Sequence, residues 1–271
     1  MRCAPFALWL MVAGTLAAES QVVGLPLTGE EAERFLHTAA TVGRPRRFDA
    51  IAITEPVAVT LTDGSRTHRA IFKDVDERHM IFRFADGRVF TKVYDSYKHE
   101  IAAYELDALL GLDIVPPCVE RKIRGQTGSL CLWVEDAMTE APRMKKKIRP
   151  PDRVEWNAQM FTIRLFHQLI WDPDYNNTRN TLVDADFKLY KVDSSLSFRT
   201  DTKLRNEKAL TQFSRRVLAN LESLERHEVD ARLGPWLETA QLDALWTRRA
   251  RLLELAREQI ALRGEDAVLS E

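Results

Sequence analysis

The stretch NNTRNTLVDADFKLYKVDSSLSF, residues 176–198, decides how this chain is read. An amide-rich loop leads into two β-prone runs that turn on Asp184-Ala185-Asp186, and Asp193 stands where the second run ends. A hairpin centred near Ala185 folds the chain back, so Asn180 and Asp193 approach each other at its open end. One carboxylate and one amide oxygen are few ligands for Ca²⁺. They suit Mg²⁺ or Mn²⁺, which keeps its waters and takes further oxygens from phosphate. Just upstream, WDPDYNN sets Asp172 and Asp174 on a loop after an apolar helix, where a carboxylate could accept a hydroxyl proton during phosphoryl transfer. Taken alone, the same letters also read as a turn rich in Asx residues.

Working outward, RAIFKD places Lys73 on a strand behind apolar neighbours, and the helix that follows carries Glu100 near its start. A strand lysine that clamps phosphates and is held by a helical glutamate is the other half of a phosphoryl-transfer site. Singly, each is more often a solvated surface residue. Their order along the chain, with Asn180 and Asp193 behind them, is harder to dismiss.

The frame around these residues is segregated. LPLTGEEAERFLHTAATV reads as a helix capped by Thr28, and GRPRRFD as a basic linker. VAVTLTDGSRTHRAIFK and HMIFRFADGRVFTKVY read as two hairpins turning on Asp-Gly pairs. SYKHEIAAYELDALLGL switches to helical periodicity and stops at Gly111. A further hairpin turns near Arg124-Gly125, an apolar helix covers 153–171, and residues 202–264 read as helical throughout. A β-rich half with one helix followed by a mainly helical half predicts an α+β chain of two unlike lobes with a ligand cleft between them.

The 271 residues, 45% of them apolar, suffice for a sizeable core, and 39 basic against 40 acidic residues argue against a nucleic-acid binder. MRCAPFALWLMVAGTLAAES has the layout of a signal peptide ending near residue 18, and no other run is long and apolar enough for stable membrane insertion. Cys118 and Cys131 remain after its removal. They flank the predicted turn, either as a cross-strand disulfide in the one register that brings them together or as two buried thiols. No H-E-x-x-H, C-x-x-C or G-x-S-x-G occurs, so zinc hydrolysis and serine-esterase chemistry have no local support.

These segments resemble the atypical protein-kinase-like superfamily, in particular bacterial secreted proteins related to the phosphatidylinositol 3- and 4-kinase-like, HipA-like and secretory-pathway casein-kinase families. The carriers are AIFKDVDE, YKHEIAAYELDALLGLDIVPPCVER, GSLCLWVEDA and NTRNTLVDADFKLYKVDSSLSFR, together with WTRRARLLELAREQIALRGEDAVL. The resemblance implies a β-rich N-lobe over 49–135 and a C-lobe over 136–271, after a leader (1–18) and an N-terminal helical segment with linker (19–48). It makes Lys73 the phosphate-binding lysine and Glu100 its partner, and Leu132, Trp133 and Val134 part of the segment whose backbone receives adenine. Asn180 and Asp193 become the metal ligands, with ATP and Mg or Mn as cofactors.

The departures lie in the catalytic loop, where relatives show an Asp-Arg-Asn-x-Gly-Asn type of sequence and this chain has DYNNTRN. Counting back from Asn180 without a gap puts Tyr175 at the base position. Asp174 needs a one-residue shift to serve, while Asp172 keeps the usual spacing to Asn177 and would demote Asn180. Asp174 is preferred, with Asp172 as the alternative. The Gly-rich strand turn of ordinary kinases is also missing, leaving Asp63-Gly64-Ser65 between the first strands. The expectation is a periplasmic or secreted kinase that transfers the ATP γ-phosphoryl group to an unknown hydroxyl acceptor. Its rivals are a catalytically inactive pseudokinase acting as an envelope binding module, and an intracellular HipA-like regulator that retains the N-terminal run.

Overall fold

The computed structural model describes residues 24–47, 56–84 and 86–270. The expected leader, residues 1–18, lies outside them. The first half runs α1 (Gly29–Thr38), β1 (Ala40–Arg47), β2 (Val57–Thr62), β3 (Thr67–Lys73), β4 (Asp76–Arg83), β5 (Val89–Ser96), α2 (Tyr97–Leu110), β6 (Cys118–Ile123) and β7 (Gln126–Leu132). The second runs β8 (Met138–Thr139), α3 (Glu140–Lys145), α4 (Arg153–Leu169), β9 (Thr181–Val183), β10 (Leu189–Lys191), α5 (Arg215–Ser223), α6 (Arg226–Leu233) and α7 (Thr239–Arg263).

Period-two alternation builds the N-terminal lobe. Val59, Leu61, Ala70, Phe72, Leu130 and Leu132 share one face of a five-stranded sheet ordered β1-β2-β3-β7-β6, and α1 covers that face with Ala32, Phe35 and Leu36. Arg124 and Gly125 both take positive φ, 50° and 89°, the mirror-image turn that matches strand twist, and the register it sets pairs Cys118 with Cys131. The two cysteines form a disulfide. Gly128 admits β7 against β3 where any side chain would collide with the Lys73 carbonyl, its Cβ falling 2.1 Å from that oxygen. The close approach fixes the strand end that carries Lys73.

In α2 nearly every face is buried, and its side chains join those of α4 and α7 in the main core of the C-terminal lobe. Ser96 caps α2 by accepting from Lys98 N, and Asp152 caps α4 by accepting from Val154 N and Glu155 N. Thr28, expected to cap α1, makes no side-chain bond there. GRPRRFD is not a simple linker: Gly43 to Arg47 continue β1, because the backbone pairs with β2 despite a polar sequence. The region after 202 is not helical throughout either, since α5 starts only at Arg215. The preceding stretch is tied by long-range bonds instead, Trp171 Nε1 donating to the Lys203 carbonyl and Asn206 N to Gln168 Oε1.

The hairpin β4–β5 forms a two-stranded sheet of its own, between the lysine strand and α2. Its rings, Phe82, Phe84 and Phe90, pack with Val93 and Leu196 into a separate small core.

Candidate active site

Lys73 ends β3 on the sheet face opposite α1. Its ammonium donates to Glu100 Oε1 at 2.5 Å and to Asp193 Oδ1 at 2.7 Å, with the lysine side chain 11% exposed. The second Glu100 oxygen accepts from Ser194 N at 3.0 Å, so strand, helix and the segment after β10 meet at one carboxylate. Burial would lower the lysine pKa, but Asp193 and Glu100 outweigh it and raise it. The Asp193 carboxyl is held below its ordinary value chiefly by Lys73. Asp193 has φ 61°, a left-handed conformation that a non-glycine residue adopts only when its surroundings impose it.

What imposes it is Lys191, fully buried on β10. Its ammonium donates to the carbonyls of Val192 at 2.7 Å and Asp193 at 2.9 Å and to Ser194 Oγ at 3.2 Å, and it pairs with Asp172 Oδ2 at 3.2 Å. His167 Nδ1 donates to the same Asp172 oxygen at 2.8 Å, and Asp172 Oδ1 accepts from Asp174 N at 2.7 Å. Burial alone would raise the Asp172 carboxyl, but Lys191 and His167 hold it well below the carboxylate range. At 1% exposed, Asp172 presents no face to a substrate.

Asp174 differs. Its side chain is 19% exposed, Oδ2 accepting from Asn177 Nδ2 at 2.7 Å and from Asn180 Nδ2 at 3.4 Å. The Asn177 amide oxygen is engaged by Arg179 N, whereas no partner for the Asn180 amide oxygen is present among the described residues. Val192 N donates to the Asn180 carbonyl at 3.0 Å, which sets Asn180 and Asp193 at the open end of the β9–β10 hairpin. Oxygen donors of this kind fit Mg²⁺ or Mn²⁺. Among the described residues no group of three or more His, Cys, Asp or Glu is placed to hold an ion, so further oxygens must come from a ligand.

On the sheet face that carries Lys73, toward β1, lies a cavity of 670 Å³ lined by Arg44, Arg46, Ala58, Thr60, Arg69 and Trp133. Arg69 lies 4.4 Å over the Trp133 ring and pairs with Glu135. Of the three lobe-joining positions singled out in the sequence, Leu132 N bonds to the Pro117 carbonyl and Trp133 N to the Arg69 carbonyl. The Val134 N–H makes no bond among the described residues. Glu135 is taken on both sides by Gly24, at 2.7 and 3.0 Å. The Asp63-Gly64-Ser65 turn is remote from Lys73: Val57 pairs with Phe72 at the lysine end of β3, and that turn closes the opposite end.

Sequence reasoning missed Lys191, the buried cation two residues before Asp193, although a lysine inside an apolar β-run was a usable signal. It also missed Arg88. At the tip of β4–β5, Arg88 Nη2 donates to Asp174 Oδ1 at 2.7 Å, and no local pattern announces a partner 86 residues away.

No protein-family model matches this chain, and neither does any curated protein. Among solved structures, hydra Fam20 with sugar superposes with a TM-score of 0.63 at 15% identity, covering 88% of this chain and 90% of that one. At that identity the likeness speaks to fold alone. The fold is α+β and protein-kinase-like, with a sheet-rich N-lobe and a mainly helical C-lobe, and it is similar to that of Fam20.

Proposed function

We propose that this chain is a secreted or periplasmic phosphotransferase that moves the γ-phosphoryl group of ATP to a hydroxyl acceptor. The observation that carries the reading is the three-way contact of Lys73 with Glu100 and Asp193, joined through the β9–β10 hairpin to Asn180, which in turn bonds to Asp174. Such a contact aligns a cation for phosphates and orients a carboxylate toward them. The Cys118–Cys131 disulfide supports an oxidising compartment.

In this reading the nucleotide enters between the sheet face and the C-lobe. Val134 N–H offers the adenine a backbone donor, and Ile71, on the same face as Lys73, an apolar surface. Lys73 binds phosphate oxygens while Glu100 holds its ammonium in place. Asp193 and Asn180 would hold Mg²⁺ or Mn²⁺, which supplies charge neutralisation at the phosphates when bound. Asp174 is the base: the acceptor oxygen bonds to the γ-phosphorus as the bond to the β–γ bridging oxygen breaks, ADP leaves, and the hydroxyl proton passes to Asp174. Asp172 is sealed away and supports the loop.

The test is thermal stability of the mature chain with ATP, GTP and ADP, with and without Mg²⁺ or Mn²⁺, followed by turnover of the metal nucleotide. A ligand that binds only the folded state raises apparent stability by mass action. Metal-dependent stabilisation with turnover is expected. Stabilisation without turnover would make the chain a nucleotide-binding pseudokinase, and neither effect would remove the reading.

A further inference from the structure

The hairpin β4–β5 touches the site at both of its ends. At its base, Asp76 accepts from Ser96 Oγ at 2.7 Å and pairs with Lys98 at 3.0 Å, while Ser96 N donates to the Ser195 carbonyl at 3.0 Å, two residues past Asp193. At its tip, Arg88 donates through Nη2 to Asp174 Oδ1 at 2.7 Å, through Nη1 to the Pro173 carbonyl, and through Nε to Asp86 Oδ2 at 2.6 Å. The guanidinium also lies 4.6 Å over the Phe84 ring. The tip is seated on the C-lobe: Phe90 meets Trp171 edge-on at 6.1 Å, and Arg199 and Arg205 stack over both rings. Arg199 further donates to the Thr91 carbonyl at 3.1 Å.

A planar fork bound on three sides fixes the group it holds. Asp86 and Phe84 set the guanidinium from its own hairpin, and Pro173 and Asp174 receive it from the catalytic loop. With Oδ1 on Arg88, the remaining Asp174 oxygen faces Asn177 and Asn180. We propose that Arg88 is a positioning residue for phosphoryl transfer, and that β4–β5 is the clamp that holds Asp174 in register with Asp193. This deepens the phosphotransferase reading and rests on it. The residue acts only through Asp174, so its loss should lower kcat and leave nucleotide affinity alone.

The experiment uses the mature chain with MnATP and water as acceptor. In that reaction a water oxygen bonds to the γ-phosphorus, the bond to the bridging oxygen breaks, and the water proton passes to Asp174. Arg88→Ala should lower kcat by about 30- to 100-fold, the scale of a misplaced catalytic group, with KM for MnATP within about threefold. Millimolar guanidinium ion should restore Arg88→Ala several-fold and leave wild type unchanged, an effect that a merely structural role would not give. Arg83→Ala, exposed on the same hairpin, should behave as wild type.

A second measurement needs no turnover: urea midpoints of Arg88→Ala, Asp174→Asn and the double variant, which should be non-additive if the two side chains are coupled. Additive midpoints, or Arg88→Ala turning over at the wild-type rate, would overturn the clamp while leaving the phosphotransferase reading intact. A wild-type chain that neither binds nor turns over MnATP would overturn both.

Discussion

Asp172 and Asp174 are separated by one proline and have the same side chain, yet they belong to different halves of the site. Asp172 is sealed between His167 and Lys191 and bonds to the Asp174 backbone. Asp174 keeps a partly exposed carboxylate, held by Arg88 and Asn177. The sealed half, with Lys191, most of Glu100 and the buried His99 of α2, which bonds to the Ser195 carbonyl, sets positions. The open half, Asp174 and the outer oxygen of Asp193, is left for a ligand, with the buried Asn180 behind it. The difference teaches that a carboxylate's role follows from what closes over it, and substitutions in the two halves should fail in different assays.

The largest effect should come from Asp193, which faces both halves. Asp193→Asn should lower metal-nucleotide turnover by about 10³-fold or more, since charge placement supplies most of this catalysis. Glu100 still pairs with Lys73, so the urea midpoint should move little. Turnover near the wild-type rate would dissolve the distinction between the halves at its central residue.

Asp172→Asn should fail in stability first. It strips a fully buried Lys191 of its carboxylate, and breaking a buried pair costs about 3–5 kcal/mol, to be read by urea unfolding. An Asp172→Asn chain as stable as wild type but inactive would move Asp172 into the open half.

The sealed half also predicts a pH dependence. His99 is buried, Nδ1 donating to the Ser195 carbonyl at 2.6 Å and Nε2 accepting from Gln241, and burial outweighs the carbonyl to bring its pKa down to about 4 from 6.5. The unfolded chain therefore takes up a proton that the folded chain refuses. This stability is present above pH 6.5 and is lost as pH falls toward 4, by about 3 kcal/mol in all. His167, lowered by burial against the pull of Asp172, adds in the same direction. Urea unfolding at pH 7 and pH 4.5 measures the slope, and His99→Gln should flatten it.

Asp174→Asn should lower turnover by about 10²-fold, the contribution of a general base, with nucleotide-induced stabilisation unchanged. A loss of nucleotide affinity instead would tie Asp174 to the metal nucleotide rather than to the acceptor. The smallest effect belongs outside both halves. Thr28→Ala should shift stability by less than about 0.5 kcal/mol, because the threonine makes no cap bond to α1.

Local chemistry made much of the fold legible. Asp63-Gly64-Ser65 closes the β2–β3 hairpin through the Asp63 carboxylate, Gly111 ends α2, and the spacing of apolar residues marks the faces of β2, β3 and α4. Where polar sequence was drawn into a sheet, as in β1, or where an irregular stretch was held by distant partners, as between Asp201 and Arg215, the same rules pointed to a linker and to helix. Neighbouring strands and helices, not the segment itself, satisfied those backbones.

The sequence by itself determined the order of Lys73, Glu100, Asn180 and Asp193 along the chain and the hairpin that brings Asn180 and Asp193 to its open end, because a turn and two short strands are local. It also supplied Cys118 and Cys131 at a spacing one hairpin register can join. Only the tertiary structure decided that Lys73 meets Asp193 across 120 residues, that Lys191 closes over Asp172, and that Arg88 reaches Asp174. Each of those outcomes is a matter of burial and charge partners brought in from distant segments. Two aspartates in WDPDYNN are chemically identical until folding seals one and leaves the other partly exposed.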